Sequence, residues 1–498
     1  MTVRMSLVLT LVAVTTLASP SGATWSIVVV DSATGEVGIA GATCIAGENL
    51  KATIGTLRVG WGAGAAQAAV SDKGRRIIGA ELGRRTPPDQ ILYLATHWDD
   101  RLEIRQYGIA DMTGQSVSFT GDLCAAWAGQ RNGRAGTVAY AIQGNILVSE
   151  AVALLAEQAL LETTGPLCDR LMAAMNAAAR AGGDARCTQH RKSAHVAFMI
   201  VSRIGDDDGI CPFGECINGT YFLELNVSDT VGSDPDPVWV LTNLYREWRA
   251  QRSGRADHLT SRVTFAPPTI LADGTSTTLM TIHLFDLLGE RISWGGARLD
   301  VAHDATSAGA TQIGPVFDDG DGSYTVELTA GTRPGRDVFR VSVVDGFPPG
   351  NLTERPVLLY PFPILEVATP LRLFGTATKL DLSRLQNVDF LLRAPSSFGN
   401  RLYLMLATAS GTSPGFPLGS ITVPLNIDPL LVQSYLLRNV PPFVNTSGAL
   451  DPGGEAAASF QPAPGELDPF IGRTLHFAWF VLDPANAVSN TFGVTIED

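Results

Sequence analysis

Thr24 is the residue of this chain whose position suggests chemistry most directly, because of the sequence that precedes it. Arg4, the apolar run 7–18 and the small residues 21–23 follow the order of a secretory signal peptide and its cleavage site. Cleavage after Ala23 would make Thr24 the first residue of the mature chain. A threonine at that position carries a hydroxyl nucleophile and a free α-amine that can act as its base. The sequence therefore predicts a nucleophile that is created by export.

Four polar residues in predicted strands or directly after one are candidates to assist such a nucleophile. Gln143 and Asn145 flank Gly144 at the end of a strand, where a side-chain amide can stabilise an oxyanion or the pair can form a simple turn. Gln67 lies in a strand of small residues that allows close backbone approach, and we expect it to contact the substrate. Asp31 ends the first strand and would either orient the surroundings of Thr24 or open a turn.

A second group of polar residues follows the helix-ending glycines 182–183. Asp184 and Arg186 would either bind a polar substrate or pair with each other at the surface. Gln189 lies a few residues further along, before the next predicted strand. We expect these three residues to contribute to substrate binding.

The cysteines indicate disulfide bonds rather than a metal centre. All six lie in the N-terminal half, and an even number in an exported protein leaves 15 pairings open. Cys211 and Cys216 form the simplest local bridge, since Pro and Gly between them favour a tight turn. Their spacing could also hold zinc, but the sequence has no second Cys/His pair nearby. We expect His190 and His195 to be structural, and we expect no metal or cofactor.

Composition and charge restrict the class of protein. The chain has 498 residues, of which 45% are hydrophobic and 17% charged, which is typical of a globular protein with several domains. Its net charge of −13 argues against a nucleic-acid partner or an anionic membrane. The apolar run 7–18 is shorter than the roughly 20 residues that span a bilayer. A soluble, secreted or periplasmic protein is expected.

The elements that must position these residues change in character along the chain. Residues 24–252 alternate between predicted strands and predicted helices, which indicates a layered α/β or α+β sandwich. Its predicted strands are 25–31, 35–43, 52–59, 62–70, 105–110, 116–120, 136–143, 194–201 and 221–227, and its helices are 87–98, 149–162, 166–181 and 237–252. Short strands and Gly, Asp and Pro turns then predict an all-β sandwich at 260–348 and a β-rich domain at 363–498.

The first of these regions resembles the DUF1028 family, which is assigned to the N-terminal-nucleophile (Ntn) hydrolase superfamily. The resemblance rests on an ordered set of motifs: T-W-S-I-V-V-V-D (24–31), G-E-V-G-I-A (35–40), A-A-Q-A (65–68), S-F-T-G (118–121), W-A-G (127–129), Q-G-N (143–145), A-G-G-D-A-R (181–186) and D-P-D-P-V (234–238). It implies an αββα fold and an amidohydrolase reaction that uses Thr24. One departure is Cys44, which stands where the family often has a lysine, and a lysine helps to activate the nucleophile in other Ntn enzymes.

The segment 261–345 resembles the immunoglobulin-like modules of bacterial invasins and intimins. The matching pieces include P-P-T-I-L-A-D-G-T-S-T-T (267–278) and D-D-G-D-G-S-Y-T-V-E-L (318–328). Together the two resemblances imply an exported Ntn-type amidohydrolase that acts on a small-molecule or peptide-like amide. Its β-modules would serve as spacers or contact a cell surface or polymer. The alternative is a secreted, non-catalytic binding or adhesion protein built on an Ntn-like scaffold.

Overall fold

The protein is described from a computed structural model that covers residues 24–97, 99–211, 214, 216–307, 311–345, 356–383, 387–419 and 421–498. The predicted signal peptide, 1–23, and Trp98, the end of one predicted helix, lie outside these ranges. Contacts divide the chain into two units between Arg252 and Ser253. Within the described ranges, no helix is long and apolar enough to cross a membrane.

The first unit alternates between strands and helices and also contains a 3-10 turn at Ala185–His190. In chain order its main elements are β1 (Thr24–Asp31), β2 (Glu36–Thr43), α1 (Leu50–Ile54), β3 (Gly55–Arg58), β4 (Gly62–Ala68), α2 (Asp72–Gly83), α3 (Pro88–Thr96), β5 (Arg105–Asp111), β6 (Ser116–Thr120), β7 (Gly129–Ala135), β8 (Val138–Asn145), α4 (Ala151–Glu162), α5 (Leu167–Arg180), β9 (Val196–Ser202), β10 (Leu223–Val227) and α6 (Pro237–Ala250).

Two antiparallel sheets are formed by these strands. The larger sheet has the order β10-β9-β2-β1-β8-β7, and the smaller has the order β3-β4-β5-β6. Strand β1 lies near the centre of the larger sheet, where Thr24 is opposite Thr43 of β2 on one side and Asn145 of β8 on the other. Because β1 has neighbours on both sides and layers on both faces, all of its residues except Asp31 are buried.

The alternation of side chains along β1 separates two hydrophobic layers. Trp25, Ile27 and Val29 pack with residues of α4, α5 and α6. Val28 and Val30 instead pack against the smaller sheet. The far face of the smaller sheet is covered by α2 and α3. The first unit is therefore an αββα sandwich, and the predicted mixed α+β architecture is confirmed.

Helix α2 and the start of β3 differ from the prediction. The sequence predicted no element at 72–83, yet Ser71 caps a helix there by accepting a hydrogen bond from the backbone N–H of Gly74 at 3.0 Å. The predicted strand 52–59 begins instead within helix α1, and only its second half pairs with β4.

Among its described residues, the second unit consists of β-strands apart from one short α-helix and two 3-10 turns, and the predicted all-β character is confirmed. In chain order it contains β11 (Arg262–Ala266), β12 (Thr269–Leu271), β13 (Thr277–His283), β14 (Arg298–His303), β15 (Gln312–Asp318), β16 (Ser323–Thr329), β17 (Gly335–Asp345), β18 (Val357–Leu358), β19 (Ile364–Ala368), β20 (Arg372–Gly375), β21 (Lys379–Asp381), β22 (Val388–Arg393), β23 (Leu402–Thr408), β24 (Phe416–Leu418), β25 (Ile421–Val423), α7 (Pro429–Leu436), β26 (Phe443–Val444), β27 (Ser447–Ala449), β28 (Glu455–Phe460), β29 (Thr474–Val481) and β30 (Phe492–Glu497).

Its strands enclose two main hydrophobic cores. Sheets β11-β13-β16-β15 and β12-β19-β17-β14 enclose the first core. Sheets β20-β22-β28-β26 and β21-β30-β29-β23-β27 enclose the second. Strand β19 pairs with both β12 and β17, so it belongs with the first core although the sequence placed a boundary at 363.

Candidate active site

Thr24 faces the space between the two sheets at one end of the sandwich. Side chains two residues apart on a strand share a face, so Thr24 and Ser26 point to the same side as Val28, toward the smaller sheet. Thr24 is 3% exposed, and its register partner Asn145 is fully buried. The start of β1 and the ends of β2 and β8 therefore meet at this end, which we call the open end.

Gln67 of β4 holds the first residues of β1 in place. The hydroxyl of Ser26 donates to Gln67 Oε1 at 2.5 Å, and Gln67 Nε2 donates to the backbone oxygen of Thr24 at 3.0 Å. The same nitrogen lies 3.1 Å from Oε1 of Gln106. Because protein groups engage both ends of this amide, the geometry fits a positioning residue better than the predicted contact with substrate.

Gln106 and Gln143 extend this buried amide cluster. Gln106 Nε2 donates to the backbone oxygen of Gly144 at 2.7 Å, and Gln143 Nε2 donates to the hydroxyl of Ser26. Gly108 makes room for the cluster, since a Cβ there would lie 1.9 Å from Gln143 Oε1. Sequence reasoning missed Gln106 and Ser26. Polar side chains at inward positions of otherwise apolar strands were the pattern that could have identified them.

Asn145 differs from these glutamines because its amide has no hydrogen-bond partner. Its side chain is buried, yet neither Nδ2 nor Oδ1 has a partner among the described residues. An unpaired buried amide costs about 1–3 kcal/mol, so natural proteins seldom keep one without a use for it. Here the unpaired amide belongs to the residue that stands opposite Thr24 in the register of β1 and β8.

Backbone strain follows two of these residues directly. Ile146, next to Asn145, has φ +51°, and Ala68, next to Gln67, has φ +67°. A β-branched residue rarely adopts this left-handed conformation, which costs of order 1–3 kcal/mol. Such strain concentrates at functional sites, and both strained residues lie at the open end.

Asp184 and Arg186 pair with each other, although not at the surface as one of the two alternatives had it, since Asp184 is buried. The Asp184 carboxylate is fully buried and lies 2.9 Å from the Arg186 guanidinium. It also accepts a hydrogen bond from the backbone N–H of Cys44 at 2.8 Å. The carboxylate is thus engaged within the protein, whereas the Arg186 side chain is one-third exposed. Gln189 is exposed on the 3-10 turn.

Disulfide bonds link four of the six cysteines. Cys44, after β2, is bonded to Cys187 of the 3-10 turn, a pairing that the sequence left open. The predicted local bridge between Cys211 and Cys216 is confirmed. Cys168 remains a thiol, and burial raises its pKa to about 12. The position at which the family often has a lysine is therefore one end of a cross-link beside Thr43.

Asp31 is not part of this site. It is the last of the eight residues of β1, about 23 Å along an extended strand from Thr24. Its carboxylate accepts the N–H of Ala33 at 3.0 Å and so opens the turn between β1 and β2. The expectation that Asp31 supports Thr24 is corrected, since the two residues occupy opposite ends of one strand.

A cleft of about 430 Å³ lies in the loop between β6 and β7. Its lining includes Thr120, Cys124, Trp127 and Gln130. Leu147 donates its N–H to the Trp127 oxygen at 3.0 Å, so this loop adjoins the end of β8 at which Asn145 lies. The open end therefore combines a hydroxyl, an unpaired amide and a neighbouring cleft.

Comparison with known families agrees with both resemblances. Residues 24–220 match the family model described as "Family of unknown function (DUF1028)". Residues 257–353 match the model described as "Invasin, domain 3". No curated protein matches the chain.

Several solved structures are similar over parts of the chain. The protein SPO2555 from Silicibacter pomeroyi, of the DUF1028 family, is 23% identical, with a TM-score of 0.36 and coverage of 45% of this chain and 85% of that one. The adhesin InvE of Yersinia pseudotuberculosis is 16% identical, with a TM-score of 0.20 and coverage of 48% and 58%. The adhesin FdeC of Escherichia coli is 12% identical, with a TM-score of 0.21 and coverage of 95% and 97%.

Proposed function

We propose that the chain is an exported amidohydrolase whose nucleophile is Thr24, exposed as the N-terminal residue by removal of residues 1–23. The arrangement of Thr24 and Asn145 carries this proposal. Thr24 begins a central strand and faces the space between the sheets. Directly opposite stands Asn145, whose amide nitrogen and oxygen both lack a hydrogen-bond partner among the described residues.

The reaction follows from the two groups that a free Thr24 would carry. The hydroxyl oxygen attacks the carbonyl carbon of an amide, and the α-amine accepts the hydroxyl proton, directly or through a water. The amine then gives this proton to the departing nitrogen as the carbon–nitrogen bond breaks, which leaves an ester on Thr24. Water, deprotonated by the same amine, hydrolyses the ester, releases a carboxylic acid and restores the hydroxyl.

The surrounding residues divide the remaining tasks. Asn145 Nδ2 donates to the oxyanion that forms in both steps, which uses its otherwise unpaired amide. Gln67 fixes the Thr24 backbone, because its amide nitrogen donates to the carbonyl oxygen of Thr24. Our candidates for holding a small or peptide-like amide substrate are the cleft beside Trp127 and the partly exposed side chain of Arg186. The invasin-like module would hold the enzyme near a cell surface or polymer.

A β-lactone probe tests this proposal without a known substrate, because such probes acylate activated hydroxyls. The chain beginning at Thr24 should gain one probe mass per molecule, whereas Thr24→Ala should gain none. A chain that retains Ala23 in front of Thr24 is the matched control. It keeps the hydroxyl but turns the α-amine into a peptide bond, so it should also remain unlabelled.

Two results would overturn the proposal. Labelling that persists in Thr24→Ala would place the reactive hydroxyl elsewhere. A folded chain that begins at Thr24 and is never labelled would favour the second candidate function, a secreted binding or adhesion protein on an Ntn-like scaffold. The match of residues 257–353 to an invasin domain is the observation that favours this second candidate.

A further inference from the structure

Three side chains near the open end have the spacing of a metal site. One sulfur each from Cys44 and Cys187 and one imidazole nitrogen of His195 all lie within 4.8 Å of one another. In the structure the two sulfurs are bonded to each other, so neither is a thiolate. Separation of the sulfurs would leave two thiolates and an imidazole around one point, which is a ligand set typical of Zn²⁺.

The contacts of His195 give it a tautomer that suits a metal ligand. Its Nδ1 contacts the backbone oxygen of Thr230, and since a carbonyl can only accept, Nδ1 carries the proton. Nε2 is then left with a lone pair. Histidines that bind metals usually donate their other ring N–H in this manner, which fixes the tautomer and the direction of the ring. The side chain is only 8% exposed, so its orientation is held by packing.

His190 is the candidate for a fourth ligand. Its ring centroid is 5.4 Å from that of His195, at the end of the turn that carries Cys187. The His190 side chain is exposed, so it can rotate toward a metal without disturbing the core. If the His190 ring does not rotate inward, a water molecule would occupy the fourth position.

We propose that reduction of the Cys44–Cys187 disulfide converts this cluster into a zinc-binding site formed by Cys44, Cys187 and His195, with His190 as the fourth ligand. A small or protein dithiol supplies the two electrons and becomes a disulfide, and the protein gains two thiols. Zn²⁺ then displaces both thiol protons as it binds. Cys44 is partly exposed, so a reductant can reach the bond. The metal would replace the covalent link between the end of β2 and the 3-10 turn.

Co²⁺ serves as the probe, because thiolate-bound tetrahedral cobalt gives a charge-transfer band in the near ultraviolet and intense bands in the visible. The chain beginning at Thr24, reduced with a phosphine that does not itself bind the metal, should take up one Co²⁺ with these bands, and Zn²⁺ should displace it. The unreduced chain should give neither band. The matched control is Cys211→Ser/Cys216→Ser, which removes the other reducible pair and should keep the full spectrum.

Single substitutions identify the ligands. Cys44→Ser or Cys187→Ser should remove or strongly reduce the charge-transfer band. His195→Ala keeps the disulfide, so its fold can be checked before reduction. After reduction it should bind Co²⁺ more than about tenfold more weakly, since even losses outside the ligand shell cost roughly 10–100-fold. The proposal fails if the reduced chain binds no cobalt, or if the bands survive Cys44→Ser or are unchanged in His195→Ala.

Discussion

Asn145→Ala should separate reactivity from stability, because the amide that it removes has no partner. Deleting one oxyanion donor slows acyl transfer about 100- to 1000-fold, which corresponds to roughly 2.7–4 kcal/mol of transition-state stabilisation. The folded state loses no hydrogen bond, since neither amide atom is paired among the described residues. Relief of a buried unpaired amide, worth about 1–3 kcal/mol, offsets the small cavity that remains. We expect stability to change by less than about 1 kcal/mol.

Gln67→Ala is the matched comparison in the same buried cluster. It leaves the Ser26 hydroxyl, the Thr24 carbonyl and the Gln106 amide oxygen without the partner that Gln67 provides. Each buried group left unpaired costs about 1–3 kcal/mol, so the three together should lower the free energy of unfolding by more than about 3 kcal/mol. The two variants should thus differ in stability by several kcal/mol although each removes one side-chain amide.

Two measurements on the chain beginning at Thr24 decide the comparison. The acylation rate constant with a β-lactone probe reports reactivity. Hydrogen exchange in peptides from β1 and β8 reports the local opening free energy without assuming that the whole chain unfolds in one step. The reasoning is refuted if Asn145→Ala reacts at the unmodified rate, or if it loses as much protection as Gln67→Ala.

Further predictions concern the base, the long disulfide and a buried ion pair. The acylation rate should rise with pH to a plateau, with a midpoint near the ordinary α-amine pKa of about 7.7–8.0, because only the neutral amine accepts the Thr24 proton; a flat profile from pH 6 to 9 would contradict this. Cys44→Ser/Cys187→Ser should destabilise the first unit by about 5 kcal/mol in the chain-entropy model, given the separation of 143 residues, and urea titration followed by hydrogen exchange measures it. Arg203→Met should lower the free energy of unfolding by about 3–5 kcal/mol, because the buried Glu36 carboxylate loses the guanidinium that lies 2.8 Å away. The double variant Glu36→Gln/Arg203→Met should lower it less, since no unpaired charge is left buried. Because this pair lies at the other end of β2, both variants should keep the unmodified labelling rate.

The layered fold could be predicted because its strands and helices carry strong local patterns. The apolar run of β1 and the proline-to-glycine span of the second long helix both match the structure closely. Helix α2 was missed because two interior glycines, Gly74 and Gly79, weaken its helical pattern. Both are required by packing, since a Cβ at Gly79 would lie 2.1 Å from the backbone oxygen of Gly214. A single sequence gives no means of seeing such a tertiary requirement.

The candidate site could be predicted only in part, because its geometry depends on long-range register. Asn145 was identified from its motif, but its position opposite Thr24 arises from the pairing of β1 with β8, more than one hundred residues away. The pairing of Cys44 with Cys187 depends likewise on where β2 ends relative to the 3-10 turn. Asp31 was expected to support Thr24 because the two residues are close in sequence, but they lie at opposite ends of strand β1.

The identity of the first residue of the exported chain decides whether Thr24 can act as an N-terminal nucleophile. Mass spectrometry of the N-terminal peptide, on protein recovered after export from a bacterial host, measures it. We expect a mature chain that begins at Thr24 with an unmodified α-amine. A chain that begins elsewhere, for example at Ser19, or that keeps residues 1–23 would rule out Thr24 as an N-terminal nucleophile, because Thr24 would then lack the amine that the mechanism requires.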